Sequence, residues 1–426
     1  MSIFLISLFF ILMFLGIPVA VSLGFSSVLT LALFSDIPLT LISQSMFSSM
    51  NSFIMVAVPL FILAGNIMDK GGVGDKIFNF ANSMVGWMPG GLGHVNIVTS
   101  LIFAGMSGSS VADVAGLGVL EMSAMEKHGY DKEYSAAITV ATSTLATMIP
   151  PSILMIVAAS VANVSVGKAL VGGVIPGILI AVVFMVYNHL YCKKHKIGDR
   201  SKFSLEIFFK SLLISIPAML VPVIILIGMF TGIVTPTEAA AIAVVYSTII
   251  SLTIYKGFTL KNIPRLLINT TKTTGTILFI AVTAKSANWI FEFDGLPAKI
   301  ATSITSLTSN PVLIMLVVLA FLVVVGMIMD ATAAIYIVVP ILLPAVTSVG
   351  VDPLFFVVFL VLSLALGLIT PPVGVCLYAA TSVTGLRLEQ IVPKLMPWII
   401  ILIMSLAILA VFPGIIMGPL NFLFPV

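Results

Sequence analysis

The chain has 426 residues, 60% of them hydrophobic and 8% charged, with a formal net charge of +3, whereas about a quarter of a soluble protein is charged. A mean hydropathy of +1.24, spread along the whole length, excludes a soluble globule, a disordered chain and a single-anchor protein with a folded extramembrane domain. What remains is an all-α polytopic membrane protein: apolar stretches of 17 to 30 residues recur, each matched to a hydrocarbon core of about 30 Å, and the strand alternation of an outer-membrane barrel is missing.

Met1–Phe10 is apolar without a basic leader or a cleavage site, so it reads as a retained helix. The first 34 residues are about 50 Å long as one helix; Gly16 and Pro18 could instead turn them into two short crossings. The missing basic flank before Lys70 suits an outside N-terminus and hence ten crossings plus two hairpins, with nine crossings as the alternative. The stretch Phe34–Asn51 carries no Lys or Arg and lies outside, and Lys70 and Lys76 lie inside. Residues 92–126 hold two apolar arms of about 15 residues around a Gly/Ser-rich centre, too short for two crossings and read as a re-entrant hairpin. Lys127, His128 and Lys132 follow inside, residues 131–165 go out and 166–191 return. The cluster Lys193, Lys194, Lys196, Arg200 and Lys202 is the densest basic patch and sets the orientation, because such clusters stay cytoplasmic. Residues 211–232 then cross outward, 236–255 return to Lys256, Lys261 and Arg265, and 273–293 cross outward again. Residues 296–308 are interfacial, 312–347 form a second hairpin entered from outside, 353–384 return to Arg387, and 388–412 exit.

Shifting the chain by 221 residues brings Gly105-Met106 onto Gly326-Met327, Gly129 and Asp131 onto Gly350 and Asp352, Pro150-Pro151 onto Pro371-Pro372, and Pro176 onto Pro397. With the opposite orientations assigned above, this is an inverted-topology repeat, as in many secondary transporters. It divides the chain into a first scaffold and interfacial arm (1–91), a first hairpin with its broken helix (92–165), and a closing helix, loop and linking helix (166–232). A second scaffold (233–311), a second hairpin with its broken helix (312–387) and a C-terminal helix (388–426) follow.

Three kinds of residue carry chemistry. The first hairpin centre reads Gly105-Met-Ser107-Gly108-Ser109-Ser110-Val-Ala-Asp113 and the second Gly326-Met-Ile-Met-Asp330-Ala-Thr332. Glycines and hydroxyl residues let the backbone leave the helix, exposing oxygens that suit a hard cation such as sodium; close packing through small residues is the other reading. Beside each centre, Thr147-Met-Ile-Pro150-Pro151-Ser152 and Thr370-Pro371-Pro372-Val373-Gly374 break a helix, because proline lacks the N–H that the carbonyl four residues earlier needs. One half-helix then offers carbonyls to a cation and the other an N-terminus to an anion. Ionisable residues inside apolar runs complete the set. Lys285 could meet a solute carboxylate, pair with an acid or snorkel, whereas Glu238, in Thr235-Pro-Thr-Glu238, reads as a helix cap.

Enzyme readings fail on the residues. The four histidines form no HExxH, Ser107 has no partnering intramembrane histidine, and no GxxxxGK[ST] phosphate loop occurs. Cys192 and Cys376 show no disulfide or zinc pattern, and the dispersed charge argues against nucleic-acid binding.

Taken together, Gly16-Ile-Pro18, Val58-Pro-Leu-Phe-Ile-Leu-Ala-Gly65, Gly90-Gly-Leu-Gly-His94-Val-Asn96, the two hairpin centres, Pro236-Thr-Glu-Ala-Ala-Ala241 and the two Pro-Pro motifs cover nearly the whole chain. In this combination the sequence resembles the large membrane subunit of the tripartite ATP-independent periplasmic (TRAP) transporters. The resemblance implies an elevator-type transporter in the bacterial inner membrane, coupled to sodium, with a small membrane subunit and a periplasmic binding protein that delivers an organic acid. Sialic acid is favoured, with a C4-dicarboxylate as the alternative; a binding-protein-independent carrier and a channel are the rival activities. Carried across motif by motif, the sodium residues are Ser107, Gly108, Ser109, Asp113, Thr147 and Pro150, then Gly326, Asp330, Thr332, Thr370 and Gly374. Candidate solute contacts are Ser109, Ser110, Ser152, Val373 and Lys285.

Overall fold

Gly16 adopts φ +85° and Pro18 precedes the next helix, so the first apolar stretch folds into two packed arms, α1 (Ser2–Phe14) and α2 (Val19–Phe34). This matches the two-arm reading of the N-terminus. The computed structural model describes residues 1–50, 53–198, 202–308 and 310–424, all its regular elements being helices. Asn51 and Arg200, used above to assign topology, lie outside the described residues.

The first half continues with α3 (Thr40–Met50), α4 (Ala57–Lys70), α5 (Val73–Val85), α6 (Gly91–Ser107), α7 (Ser110–Ala115), α8 (Leu117–Lys127), α9 (Lys132–Ser143), α10 (Ile153–Val161) and α11 (Val166–His195). The helix α12 (Leu205–Phe230) links it to α13 (Pro236–Thr253), α14 (Ile263–Phe293), α15 (Leu296–Leu307), α16 (Pro311–Ile328), α17 (Ala331–Thr347), α18 (Pro353–Gly367), α19 (Val375–Thr384), α20 (Leu388–Val411) and α21 (Gly414–Leu423).

The 221-residue offset reappears as structure. It carries α6 onto residues 312–328, where α16 lies, α9 onto α18, α10 onto α19 and α5 onto α15, each within about three residues at their starts. Packing partners exchange in the same way. Thus α4 packs on α13 while their counterparts, α14 and α2, pack on each other; α9 meets α20 while α18 meets α11. The α4–α13 contact follows from sequence: Ala239, Ala243, Ser247 and Ser251 recur every four residues, which puts a buried stripe of small side chains on one face of α13. Thr235 and Glu238 close a reciprocal capping box at its start, as the sequence reading of Glu238 requires.

Among the described residues, α11, α12, α13, α14, α16 and α20 are long and apolar enough to cross a bilayer unbroken. Five of these coincide with expected crossings; the sixth, α16, is the first arm of the second hairpin. The other five expected crossings fall on the short helices α1, α2 and α4 and on the two interrupted helices, α9–α10 and α18–α19. The interrupted helices form the centre of the molecule: every α18 residue from Phe355 to Gly367 is buried, as is every α9 residue from Tyr134 to Ser143. That position is physically required, because backbone freed from helical pairing is tolerated at membrane depth only under protein or beside a polar cavity. By contrast, α12 buries only Ser215, Ala218, Val221 and Ile225 and turns the rest of its apolar surface outward.

Candidate functional site

The first hairpin turns where Gly108, at φ +60°, ends α6, and Ser109 in extended conformation caps α7 by accepting the Ala112 N–H at 3.4 Å. The Ser107 hydroxyl donates to Asp113 Oδ1. The other Asp113 oxygen and the Ser110 hydroxyl are buried without a hydrogen-bond partner. Unpartnered buried oxygens are costly in an apolar interior, so this tip has free acceptors of the kind a cation takes. The tip is fastened to the break in the neighbouring helix, where Pro150-Pro151 is cis: Ile153 donates its N–H to the Gly108 carbonyl at 3.4 Å. Ser152, fully buried, caps α10 by accepting the Met155 N–H at 3.2 Å, and Thr147 donates its hydroxyl to the Thr144 carbonyl at 2.7 Å.

The second tip has the same plan with different atoms. Met329 is extended, and Asp330 caps α17 by accepting the Thr332 N–H at 2.8 Å. Pro371-Pro372 is also cis, and Val373 donates its N–H to the Met327 carbonyl at 3.3 Å. Thr370 returns its hydroxyl to the Leu366 carbonyl at 2.6 Å, Gly374 takes φ +38°, and Gly326 lies against Gly367, backbone on backbone.

Each broken helix crosses over to the other hairpin, α10 packing on α17 and α19 on α7. The two tips therefore meet at one cavity of about 1080 Å³, whose opposite wall is built by α2, α4 and α14. Ser107, Gly108, Ser109, Ser110, Thr147, Asp330 and Thr332 line it. Asp113, Pro150, Ser152, Gly326, Thr370, Val373 and Gly374 lie outside its lining. Of the two half-helix N-termini expected to face an anion, α10 borders the cavity through Ile153 and Leu154, and α19 does not. Val373 N–H is engaged by Met327, and the start of α17 takes the place of α19 at the cavity wall. Lys285 is exposed on α14 away from the cavity, whereas Lys272, thirteen residues earlier on the same helix, lines it together with Thr271, Thr273 and Thr276. The dense hydroxyl run Thr270–Thr276, straddling the start of the 273–293 crossing, was the signal for that face.

A second polar cluster, unread in the sequence, holds the first hairpin to α9. The Asn96 amide donates to Glu121 Oε2 at 2.9 Å and to Thr139 Oγ1 at 2.8 Å, while Thr142 donates to Asn96 Oδ1 at 2.8 Å; all four residues are buried. Asn96→Leu strips the buried Glu121 of its hydrogen-bond partner, while Thr142 can still donate to the Ile138 carbonyl at 3.0 Å. A stability loss of about 1–3 kcal/mol for each buried group left unpaired is expected, to be read as a lower unfolding temperature in lipid nanodiscs; an unchanged melting curve would contradict this role.

Two re-entrant tips locked to two mirrored helix breaks around one polar cavity define the class: a polytopic membrane transporter with an internal repeat. Residues 6–415 match the family model described as "Tripartite ATP-independent periplasmic transporter, DctM component", and the chain belongs to that family. It is a permease of the bacterial inner membrane and not an enzyme, from a family whose large subunit works with a small membrane subunit and a periplasmic binding protein. Curated relatives are similar along most of the chain. The sialic acid TRAP transporter large permease protein SiaM of Vibrio cholerae is 35% identical over 402 residues, 94% of each chain. The C4-dicarboxylate TRAP transporter large permease protein DctM of Pseudomonas aeruginosa is 36% identical over 402 residues, again 94% of each. The isethionate TRAP transporter permease protein DctMQ of Oleidesulfovibrio alaskensis is 36% identical over 411 residues, 96% of this chain and 64% of that protein. Among solved structures, the YdaH transporter of Alcanivorax borkumensis superposes with a TM-score of 0.62 over 91% of each chain at 16% identity, a likeness of fold.

Proposed function

We propose that this chain is the sodium-coupled permease of an organic-anion importer working by an elevator movement, the hairpins and broken helices carrying the solute past the wall of α2, α4 and α14. The observation that carries this reading is the meeting of both hairpin tips at one cavity, each tip bound by a backbone hydrogen bond to its own Pro-Pro break. Two acids sit at these tips, Asp113 with a free buried oxygen and the half-buried Asp330. A sodium ion at each would offset the negative charge of its acid and draw the tip oxygens together, lowering the repulsion met by an incoming anion. Ion and solute then strengthen each other's binding by the same factor. At the first tip Ser107, Ser109 and Asp113 supply the side-chain oxygens; at the second Asp330, Thr332 and Thr370 do so, with glycine and proline carbonyls completing the sets.

Sialic acid, C4-dicarboxylates and isethionate, the solutes for which the relatives are named, each carry an acid group ionised at neutral pH. Sialic acid is our first choice of solute and a C4-dicarboxylate the second. The test uses proteoliposomes holding this chain and its small subunit, an imposed sodium gradient, and labelled solute presented with and without the binding protein. Uphill accumulation that needs both sodium and the binding protein is the expected result; flux that runs only downhill would return the channel reading. Asp330→Ala and Ser109→Ala should each abolish uptake while assembly with the small subunit persists. Undiminished uptake in either variant removes that residue from the sodium site.

A further inference from the structure

We propose that Lys272 is the fixed anion contact of the cavity: a cation on the wall facing the hairpin tips that binds the acid group of the solute. The inference rests on the organic-anion reading above. Lys272 is the tenth residue of α14, about 14 Å along the helix axis from its start at about 1.5 Å per residue. Its side chain is exposed and it lies one residue before the 273–293 crossing, so its ammonium reaches the cavity without being sealed in the apolar part of the helix.

Its surroundings identify what could pair with it. Lys272 lines the same cavity as Ser109, Ser110 and Asp330. Two carboxylates share that cavity, and neither is paired with Lys272: Asp69 pairs with Lys70 at 3.1 Å, and Asp330 accepts the Thr332 N–H through one oxygen. Lys272 makes no ion pair with another described residue. It is flanked by the hydroxyls of Thr271, Thr273 and Thr276, which line the cavity with it and can hydrogen-bond to the remaining oxygens of a carboxylate or sulfonate. At Gly275 a side chain would meet nothing within 4 Å, so the wall next to Lys272 is open to a ligand. Among the described residues, no other Lys or Arg lines this cavity. The tips therefore offer hydroxyls and helix N-termini from one side, and α14 offers the full positive charge from the other. Because that charge sits on the wall and not on the tips, it engages the anion only in the conformation that opens the cavity between them, and so biases where in the transport cycle the solute is held.

The test is equilibrium binding of labelled N-acetylneuraminate and labelled succinate to this chain with its small subunit in lipid nanodiscs, with and without saturating sodium. Lys272→Met should weaken binding of whichever probe the wild type binds about 10- to 100-fold, the range expected for one hydrogen bond to a charged group. Lys272→Arg should keep affinity within about threefold, since it preserves charge and donors, and Lys285→Met should leave it unchanged. The sodium-induced shift in unfolding temperature should be the same in all four proteins, which separates an anion contact from a folding defect. Wild-type affinity in Lys272→Met overturns the proposal. Anion binding that depends on Lys272 but not on sodium leaves it standing and overturns sodium coupling instead; a wild type that binds neither probe overturns both.

Discussion

Gly108→Ala is expected to lower sodium-driven uptake about 100-fold or more, the scale of effect that a displacement of about 1 Å at a working site produces. Two costs coincide at this residue. The backbone sits at φ +60°, where an L side chain loses about 1–2 kcal/mol to the close approach of its own Cβ and carbonyl. The new Cβ would also stand 2.1 Å from the Pro151 carbonyl oxygen, which belongs to the backbone of the helix break and cannot rotate aside. The tip must therefore retreat by more than 1 Å to reach ordinary contact. The Ile153 to Gly108 hydrogen bond is lost, and Ser107 and Ser109 move with the tip. Gly129→Ala is the matched control. It has the same left-handed backbone, φ +82°, with nothing within 4 Å of the added carbon, so it meets the strain without the collision. Its uptake should stay within about twofold of wild type, because strain of that size at a loop costs stability and not site geometry. Equal loss in both variants would show that backbone strain, and not the lock between tip and break, explains the effect.

Gly367→Ala should act on the second hairpin through stability. Its Cβ would lie 2.4 Å from the Gly326 Cα and 2.5 Å from the Gly326 carbonyl carbon, so α16 and α18 could no longer touch backbone to backbone. Relief requires separating two helices in the fully packed centre, where overpacking costs about 1–3 kcal/mol and at times more. The expected result is a clearly lower unfolding temperature in nanodiscs together with loss of uptake. Sodium should restore less of that temperature than in wild type, because the Asp330 tip is displaced. A variant that melts and transports like wild type would mean that the close contact of α16 with α18 is dispensable.

The features legible in the sequence were those made by local chemistry. Pro150-Pro151 and Pro371-Pro372 break their helices because two successive residues lack an N–H and the second proline disfavours helical backbone at the first, whereas single prolines such as Pro176 and Pro222 sit inside the continuous helices α11 and α12. Gly108 could be assigned to a turn because glycine has no Cβ to oppose a left-handed backbone, and the 221-residue offset of glycines and prolines marked the repeat whose halves exchange helix partners in the structure. The crossings were less legible. Hydropathy marks an apolar stretch without showing whether it runs as one helix, and the short helices α1, α2 and α4 share their apolar character with unbroken spans.

Two further details depended on packing. Lys285 and Lys272 lie on one helix, but thirteen residues at about 100° each set them roughly 140° apart around its axis. The cavity lies on the Lys272 side, a choice made by α2 and α4 and not by α14. Likewise Gly105 and Gly326 are equivalent positions of the repeat, yet a Cβ on Gly105 would meet the Pro222 ring at 3.0 Å, whereas one on Gly326 would meet the Gly367 backbone at 2.9 Å. By itself the sequence determined a polytopic repeat with two hairpins and two broken helices, since these follow from hydropathy, proline and glycine acting on their own neighbours. Only the tertiary structure decided which faces of those elements meet, because the direction a side chain takes across a membrane-embedded bundle is set by the helix packed against it.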